Sequence, residues 1–122
     1  MPAWYFDSGA SDHITGDLSS FDDIEPIEPF TVQIGDESKV WVTHRGPVTL
    51  PLVGGDDIHI AEVFYSEAFG NTCLLSVPQF TAKGAELRFK ASKVHMLDAN
   101  SNVVVLGTMS GSGLYRLDQL QH

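Results

Sequence analysis

The stretch Trp4-Tyr5-Phe6-Asp7-Ser8-Gly9 runs three aromatic residues straight into an Asp-Ser-Gly turn. Aromatic residues favour a strand, and a strand holds the residue at its end in a fixed place. Ser8 adds a hydroxyl beside the carboxylate, while Gly9 lets the backbone turn sharply and lets another chain come close. The stretch therefore predicts one carboxylate, Asp7, presented on a tight polar loop that Ser8 and Gly9 support.

A carboxylate on such a loop suits acid–base chemistry of the aspartic protease kind, which needs two carboxylates sharing one proton. One acts as base on a water while the other, protonated, polarises the scissile carbonyl. The chain has 122 residues and a single Asp-Ser-Gly, so it is too short for two lobes that each carry one. We therefore expect the second carboxylate to come from an identical subunit across a two-fold axis.

Negative charge is concentrated around this loop. Residues 1–38 hold nine of the sixteen acidic residues and no Lys or Arg, and the formal net charge is −9. This sign argues against nucleic acid as a ligand, although a solvated acidic surface without a function explains it equally well. Cys73 is the only cysteine, which predicts no internal disulfide and a reducing compartment. No apolar run approaches membrane length, so no membrane partner is expected.

The rest of the chain alternates in period two between turn signals, which predicts short strands. These are expected at 30–34, 39–43, 48–52, 58–65, 74–77, 85–90, 94–97, 103–106 and 113–117. One short helix is expected at 78–84, and 14–29 is expected to be a surface loop because Pro26 and Pro29 interrupt it. The pattern predicts an all-β single domain, 1–122, folded as a small closed barrel or sandwich.

The order of these parts resembles the retropepsin-like aspartic proteases of Ty1/copia-type LTR retrotransposons. The segment 7–16, DSGASDHITG, is similar to the family's Asp-Ser-Gly-Ala-Ser-x-His-(Met/Ile)-Thr motif. The segment 32–38, VQIGDES, resembles its Gly-Asp-Gly-Ser hairpin, with Glu37 in place of the second Gly. The segments 74–80, LLSVPQF, and 113–117, GLYRL, resemble two further family motifs, in the same order.

The resemblance implies a closed retropepsin barrel that is active as a two-fold homodimer, with catalytic Asp7 from both subunits and Ser8 hydroxyls bonded across the interface. A flap hairpin at about 30–43 would close on the substrate, followed later by a C-terminal hairpin and closing strand at about 93–118. Leu74 and Leu75 would form a wall behind the loop. The substrate-binding residues implied are Ala10, Ser11, Asp12, Ile34, Gly35, Asp36, Glu37 and Ser38.

By the same resemblance the enzyme is an aspartic endopeptidase without metal, cofactor or covalent intermediate. Its substrate would be the parent Gag-Pol polyprotein, inside virus-like particles in the cytoplasm. Two departures are visible: Ser76 stands where retropepsins commonly have Gly, and only six residues precede Asp7. The intermolecular sheet built from both termini in retroviral enzymes therefore cannot be assumed, and the strand 113–117 is a candidate to replace it.

The same residues allow other interpretations. A zinc site could use histidines and the cysteine, but their separations match no paired-ligand pattern; the candidates are His13, His44, His59, His95 and Cys73. A Ser8 and His13 hydrolase lacks a geometry that joins its two groups. His13 is expected to brace the loop through a hydrogen bond. The main alternative is a catalytically silent or domesticated dimeric module of the same fold that binds peptides or assists assembly.

Overall fold

A computed structural model of the chain describes residues 2–34, 38–54 and 56–119. In that part of the chain it has ten β-strands, one α-helix and two short 3₁₀ turns. The strands are β1 (Trp4–Asp7), β2 (Ile14–Thr15), β3 (Glu25–Ile34), β4 (Ser38–Pro51), β5 (Asp57–Tyr65), β6 (Cys73–Ser76), β7 (Glu86–Phe89), β8 (Lys93–Leu97), β9 (Val103–Met109) and β10 (Tyr115–Leu117). The helix α1 is Val77–Ala82, and the 3₁₀ turns are Leu18–Ser20 and Glu67–Phe69.

All ten strands belong to one sheet, in the order β3-β4-β5-β2-β6-β1-β10-β9-β8-β7. Strands β1 and β6 lie near its centre and run parallel to each other. A strand with neighbours on both sides has to be rich in apolar residues, and β1 and β6 bury Trp4, Phe6, Cys73 and Leu75. The aromatic run before Asp7 is therefore what places that residue at the middle of the sheet.

The core joins residues from both ends of the chain. Trp4 and Leu117 are almost completely buried in one cluster with Leu50 and Leu75. The backbone N–H of Trp4 also donates to Oε1 of Gln119 at 3.1 Å. The first strand is thus fixed by residues more than a hundred positions away, so the loop that follows it starts from a rigid base.

The all-β class with one short helix is confirmed, but a closed barrel is not. Within the described residues the sheet is open, with β3 and β7 at its two edges. A single isolated bridge, Leu52 with Gln119, connects the end of β4 to the residues after β10, so the sheet curls without a ladder that closes it. The edge strands are poor partners for closure because Pro26 and Pro29 of β3 lack N–H donors and β7 has only four residues.

The prediction of a surface loop over 14–29 is wrong at both ends. Ile14 and Thr15 form β2, which is buried between β5 and β6. At the other end, β3 begins at Glu25 and includes both prolines. Proline is tolerated there because β3 is an edge strand, and its register with β4 shifts between Pro26 and Phe30.

The strands predicted at 39–43 and 48–52 are one strand, β4, of 14 residues. Its register with β5 shifts between Gly46 and Val48. This irregularity lies where the two predicted strands were separated. Its last residue, Pro51, pairs with Asp57 of β5 and lies beyond the part of β4 that pairs with β3. Pro51 therefore has a paired strand on one side only, where a residue without an N–H is tolerated.

Strand β10 cannot replace the intermolecular sheet of retroviral enzymes. It pairs antiparallel with β1 on one side and with β9 on the other. Since both sides of its backbone are already occupied by neighbours, it has no free edge to offer to a second subunit.

Candidate active site

Asp7 is the last residue of β1 and pairs in register with Ser76, the last residue of β6. Because these strands are parallel, the segments that follow them leave the sheet at the same end. The segment after β1 becomes the loop of residues 8–13, and the segment after β6 becomes α1. The topology thus packs the Asp-Ser-Gly loop against the start of the helix, which no local sequence pattern reveals.

The Asp7 carboxylate is oriented by its own loop. The backbone N–H of Gly9 donates to Oδ1 of Asp7 at 2.8 Å, and the backbone N–H of Ala10 lies 3.4 Å from the carbonyl oxygen of Asp7 in the same turn. A Cβ atom on Gly9 would sit 3.3 Å from Oδ1, so glycine leaves room for this contact. Within the described residues, Oδ2 has no hydrogen-bond partner and is available to a ligand.

Ser76 joins the loop to the helix. Its hydroxyl donates to the carbonyl oxygen of Ala10 at 2.6 Å and accepts the backbone N–H of Gln79 at 3.2 Å. The second contact makes Ser76 the N-cap of α1. The departure from glycine noted in the sequence therefore has a structural reason: one buried hydroxyl satisfies a loop carbonyl and a helix N–H together.

His13 also stabilises the junction between the loop and α1. Its ring is buried, lies 4.8 Å from the ring of Phe80 between centroids, and accepts the backbone N–H of Ser76 on Nδ1 at 2.9 Å. Burial, with a smaller contribution from the charge of Lys83, lowers the pKa of His13 to about 4. His13 is thus neutral with its proton on Nε2, and the expected loop-bracing hydrogen bond is present.

Gln79 holds the outer part of the loop. Its side-chain amide donates to the carbonyl oxygen of Ser11 at 2.9 Å and to Oδ1 of Asp12 at 3.3 Å. Asp12 also accepts the hydroxyl of Ser11 on Oδ2 at 3.1 Å. Sequence reasoning missed Gln79, because the partners are more than sixty residues apart and a glutamine on a helix carries no signal of such a role.

A cleft of about 230 Å³ opens beside Asp7. Its lining includes the loop itself and, from the β3–β4 hairpin, Val32 and Gln33 near the end of β3. Its remaining lining is largely apolar, from Ile14, Phe64, Phe69 and Leu74. A half-exposed carboxylate beside apolar side chains in a concave cleft makes this the candidate binding site of the described structure.

The predicted substrate-binding residues fall into three groups. Ala10, Ser11 and Asp12 line the cleft. Ser38 is exposed at the start of β4 and is not among the cleft-lining residues. Gly35, Asp36 and Glu37, and the side chain of Ile34, lie outside the described residues.

The two residues expected to form a wall behind the loop point in different directions. Leu75 is fully buried and pairs in register with Phe6. Leu74 lines the cleft. Since side chains alternate across a strand, the two leucines lie on opposite faces of β6.

The described residues give little geometric support to a cysteine nucleophile or to a zinc site. Cys73 is buried, its Sγ lies 3.0 Å from Oγ1 of Thr15, and burial raises the pKa of its thiol to about 11, so it is a poor nucleophile at neutral pH. In the part of the chain that the structure describes, no three His, Cys, Asp or Glu side chains group in a way that could hold a metal ion. The same residues include no helix long and apolar enough to span a bilayer.

Comparison with protein-family models matches residues 4–85 to the Pol polyprotein, beta-barrel domain. The chain belongs to this family. The match begins at Trp4 and ends after α1, so it includes the Asp-Ser-Gly loop, the hairpin and the helix that supports the loop. It places this Pol domain in a retroelement polyprotein, as the resemblance predicted. Searches among curated proteins and among solved structures gave no match.

Proposed function

We propose that this Pol domain is a homodimeric aspartic endopeptidase that cleaves the polyprotein to which it belongs. The observation that carries the proposal is the position of Asp7: its carboxylate is fixed by the N–H of Gly9 at 2.8 Å and lines an apolar cleft beneath a hairpin. The surrounding loop is braced by Ser76, His13 and Gln79. Such bracing supports a catalytic role because a reacting carboxylate has to be held in one geometry.

The chemistry requires a second carboxylate, and we assign it to Asp7 of a second copy. Two carboxylates in contact share one proton because both cannot ionise at short range. The ionised one takes a proton from a water, whose oxygen bonds to the scissile carbonyl carbon. The protonated one gives its proton to the carbonyl oxygen. The resulting diol then returns a proton to the dyad, the nitrogen receives one, and the C–N bond breaks.

The cleft suggests the kind of peptide that binds. Phe64, Phe69, Leu74 and Ile14 offer an apolar lining, and burial of an apolar side chain there is favourable by about 1.5–3 kcal/mol. Phe30 of the hairpin also packs edge-on to Phe64 with ring centroids 5.2 Å apart. We therefore propose extended substrates with hydrophobic residues around the scissile bond, within the Gag-Pol polyprotein of virus-like particles in the cytoplasm.

The test is cleavage of a polyprotein fragment that carries this domain with its natural flanks, at mildly acid pH. Wild type should release the products, and Asp7→Asn should reduce the rate at least about a thousandfold because the dyad loses its base. Asp56→Asn makes the same charge change at an exposed position away from the cleft and should cleave like wild type. Mixing wild type with excess Asp7→Asn should also lower the rate, since mixed dimers carry one carboxylate.

Equal cleavage by wild type and Asp7→Asn would eliminate the proposed dyad. Absence of cleavage by either protein, with dimers intact in sedimentation, would instead favour the silent peptide-binding or assembly module.

A further inference from the structure

Asp7 borders two depressions. One is the cleft beneath the hairpin. The other is a groove of about 410 Å³ on the side of β10 and the β7–β8 turn. Asp7 and Ser8 form one end of this groove, and its walls are the apolar side chains of Phe6, Phe89 and Leu114 with the ring of Tyr115. The hairpin lines the first depression, and none of its described residues is among those that line the second.

We propose that this groove is the surface on which the second copy of the chain docks. The inference rests on the proposed function, because it asks which surface must be covered when a second carboxylate reaches Asp7. An isologous contact buries the same patch on both copies and passes through the two-fold axis. If that axis passes beside Asp7 and Ser8, the surface next to them is buried first. The groove is the apolar surface that continues directly from these two residues.

The groove is held in place before any partner binds. The rings of Phe89 and Tyr115 meet edge-on with centroids 5.1 Å apart, and the Tyr115 hydroxyl donates to the carbonyl oxygen of Lys90. The carbonyl oxygen of Leu114 accepts the backbone N–H of Ser110 at 2.8 Å and its hydroxyl at 2.7 Å. Nevertheless Phe89 is 47% exposed and Leu114 41% exposed, so a fixed surface leaves large apolar side chains in water.

Charge also favours this side for a second copy. Each copy has a formal net charge of −9, so two copies repel each other unless they meet where acidic groups are few. Among the described residues that line the groove, Asp7 is the only charged one, and Lys90 is exposed beside Phe89. The cleft side carries Asp12 as well. The approach of one acidic chain to another is therefore less opposed at the groove than at the cleft.

A second exposed apolar surface provides a matched control. Leu106 lies on β9 in a separate depression with Val103 and Val104, and like Leu114 it is 41% exposed. The variants Leu114→Asp and Leu106→Asp change the same residue type to the same acid at equal exposure. Any difference in association between them therefore reports which of the two surfaces is covered, and not the added charge.

The experiment is sedimentation equilibrium of the three proteins over a wide concentration range, together with cleavage of the flanked fragment. Leu114→Asp should raise the dimer dissociation constant at least about thirtyfold, because each dimer loses two buried leucines, while Leu106→Asp should stay within about threefold of wild type. Circular dichroism should show both variants folded. Cleavage by Leu114→Asp should recover at high protein concentration, whereas Asp7→Asn should not recover.

Failure of this inference differs from failure of the proposed function. A dimer that survives Leu114→Asp, or that dissociates with Leu106→Asp, would show that the groove is not the dimer interface. Neither result would contradict the proposed Asp7 dyad. If Leu114→Asp unfolds, the milder Leu114→Ser and Phe89→Ser are compared with Leu106→Ser, with the same expected order. A wild type that stays monomeric at every concentration and still cleaves would overturn both.

Discussion

The Nδ1 atom of His13 accepts the backbone N–H of Ser76 at 2.9 Å, which ties the loop after β1 to the last residue of β6. This bond requires a neutral ring, and burial keeps the ring neutral by lowering the pKa of His13 to about 4. An aspartic dyad works in mildly acid solution, where an ordinary histidine is charged. His13 therefore keeps its loop contact under the conditions in which Asp7 is expected to act.

The first prediction concerns stability in acid. The pKa of His13 is about 4 in the folded chain and 6.5 without perturbation, so between these values the unfolded chain binds a proton that the folded chain does not. The free energy of unfolding should fall by about 3 kcal/mol from this group as pH drops through that window. Urea unfolding of wild type and His13→Asn from pH 7 to 4 measures it.

In His13→Asn the amide oxygen can still accept the N–H of Ser76, but the side chain at position 13 no longer titrates. The variant should lose stability at pH 7 because the contact with Phe80 is lost, yet its stability should depend less steeply on pH. Parallel pH curves for the two proteins would show that His13 has no lowered pKa.

The second prediction concerns the hydroxyl of Ser76. Ser76→Ala leaves the carbonyl of Ala10 and the N–H of Gln79 without their partner, which should lower the free energy of unfolding by about 1–3 kcal/mol. Thr81→Ala is the control, since its hydroxyl bonds to the carbonyl of Pro78 at an exposed site, and it should cost less than about 0.5 kcal/mol. Urea titrations compare them, and equal losses would contradict the role of Ser76.

The third prediction concerns Cys73. Its thiol is buried and its pKa is raised to about 11, so little thiolate exists at pH 8 and reagents cannot reach it. Iodoacetamide should modify the native chain at least about a hundredfold more slowly than the chain in urea. Mass spectrometry of timed samples measures both rates. Rapid labelling of the native chain would mean that β6 opens readily.

The fourth prediction concerns salt. With nine more acidic than basic residues, two copies repel over a distance of about 30 Å at 0.01 M salt and about 3 Å at 1 M. Raising NaCl from about 0.02 M to 0.5 M should therefore lower the dissociation constant of the proposed dimer by about tenfold, which sedimentation measures. Glu28→Gln, which removes one exposed acid, should reduce this gain. Weaker association at high salt would mean that ion pairs hold the two copies together.

Local patterns in the sequence were enough to predict much of the fold. The apolar run before Asp7 and the alternation over 58–65 predicted β1 and β5, and Gly84 marks the end of α1 with a φ of 95°. These predictions depend on residues within a few positions of one another, whose preferences act directly on the backbone. The strand β2 was not predicted, because Ile14 and Thr15 are too few residues to show a period. Burial between β5 and β6, and not a local pattern, makes them a strand.

The sequence by itself determined the retroelement Pol context, the all-β class and the single Asp-Ser-Gly carboxylate, because each depends on residues that are neighbours in the chain. Only the tertiary structure decided that β10 lies between β1 and β9, that Ser76, His13 and Gln79 hold the loop, and that two depressions meet at Asp7. Apart from the local pairing of β10 with β9, the contacts between elements join residues more than sixty positions apart. Their free energy comes from burial and from hydrogen bonds that form only when folding brings distant residues together. Local preferences do not encode such contacts.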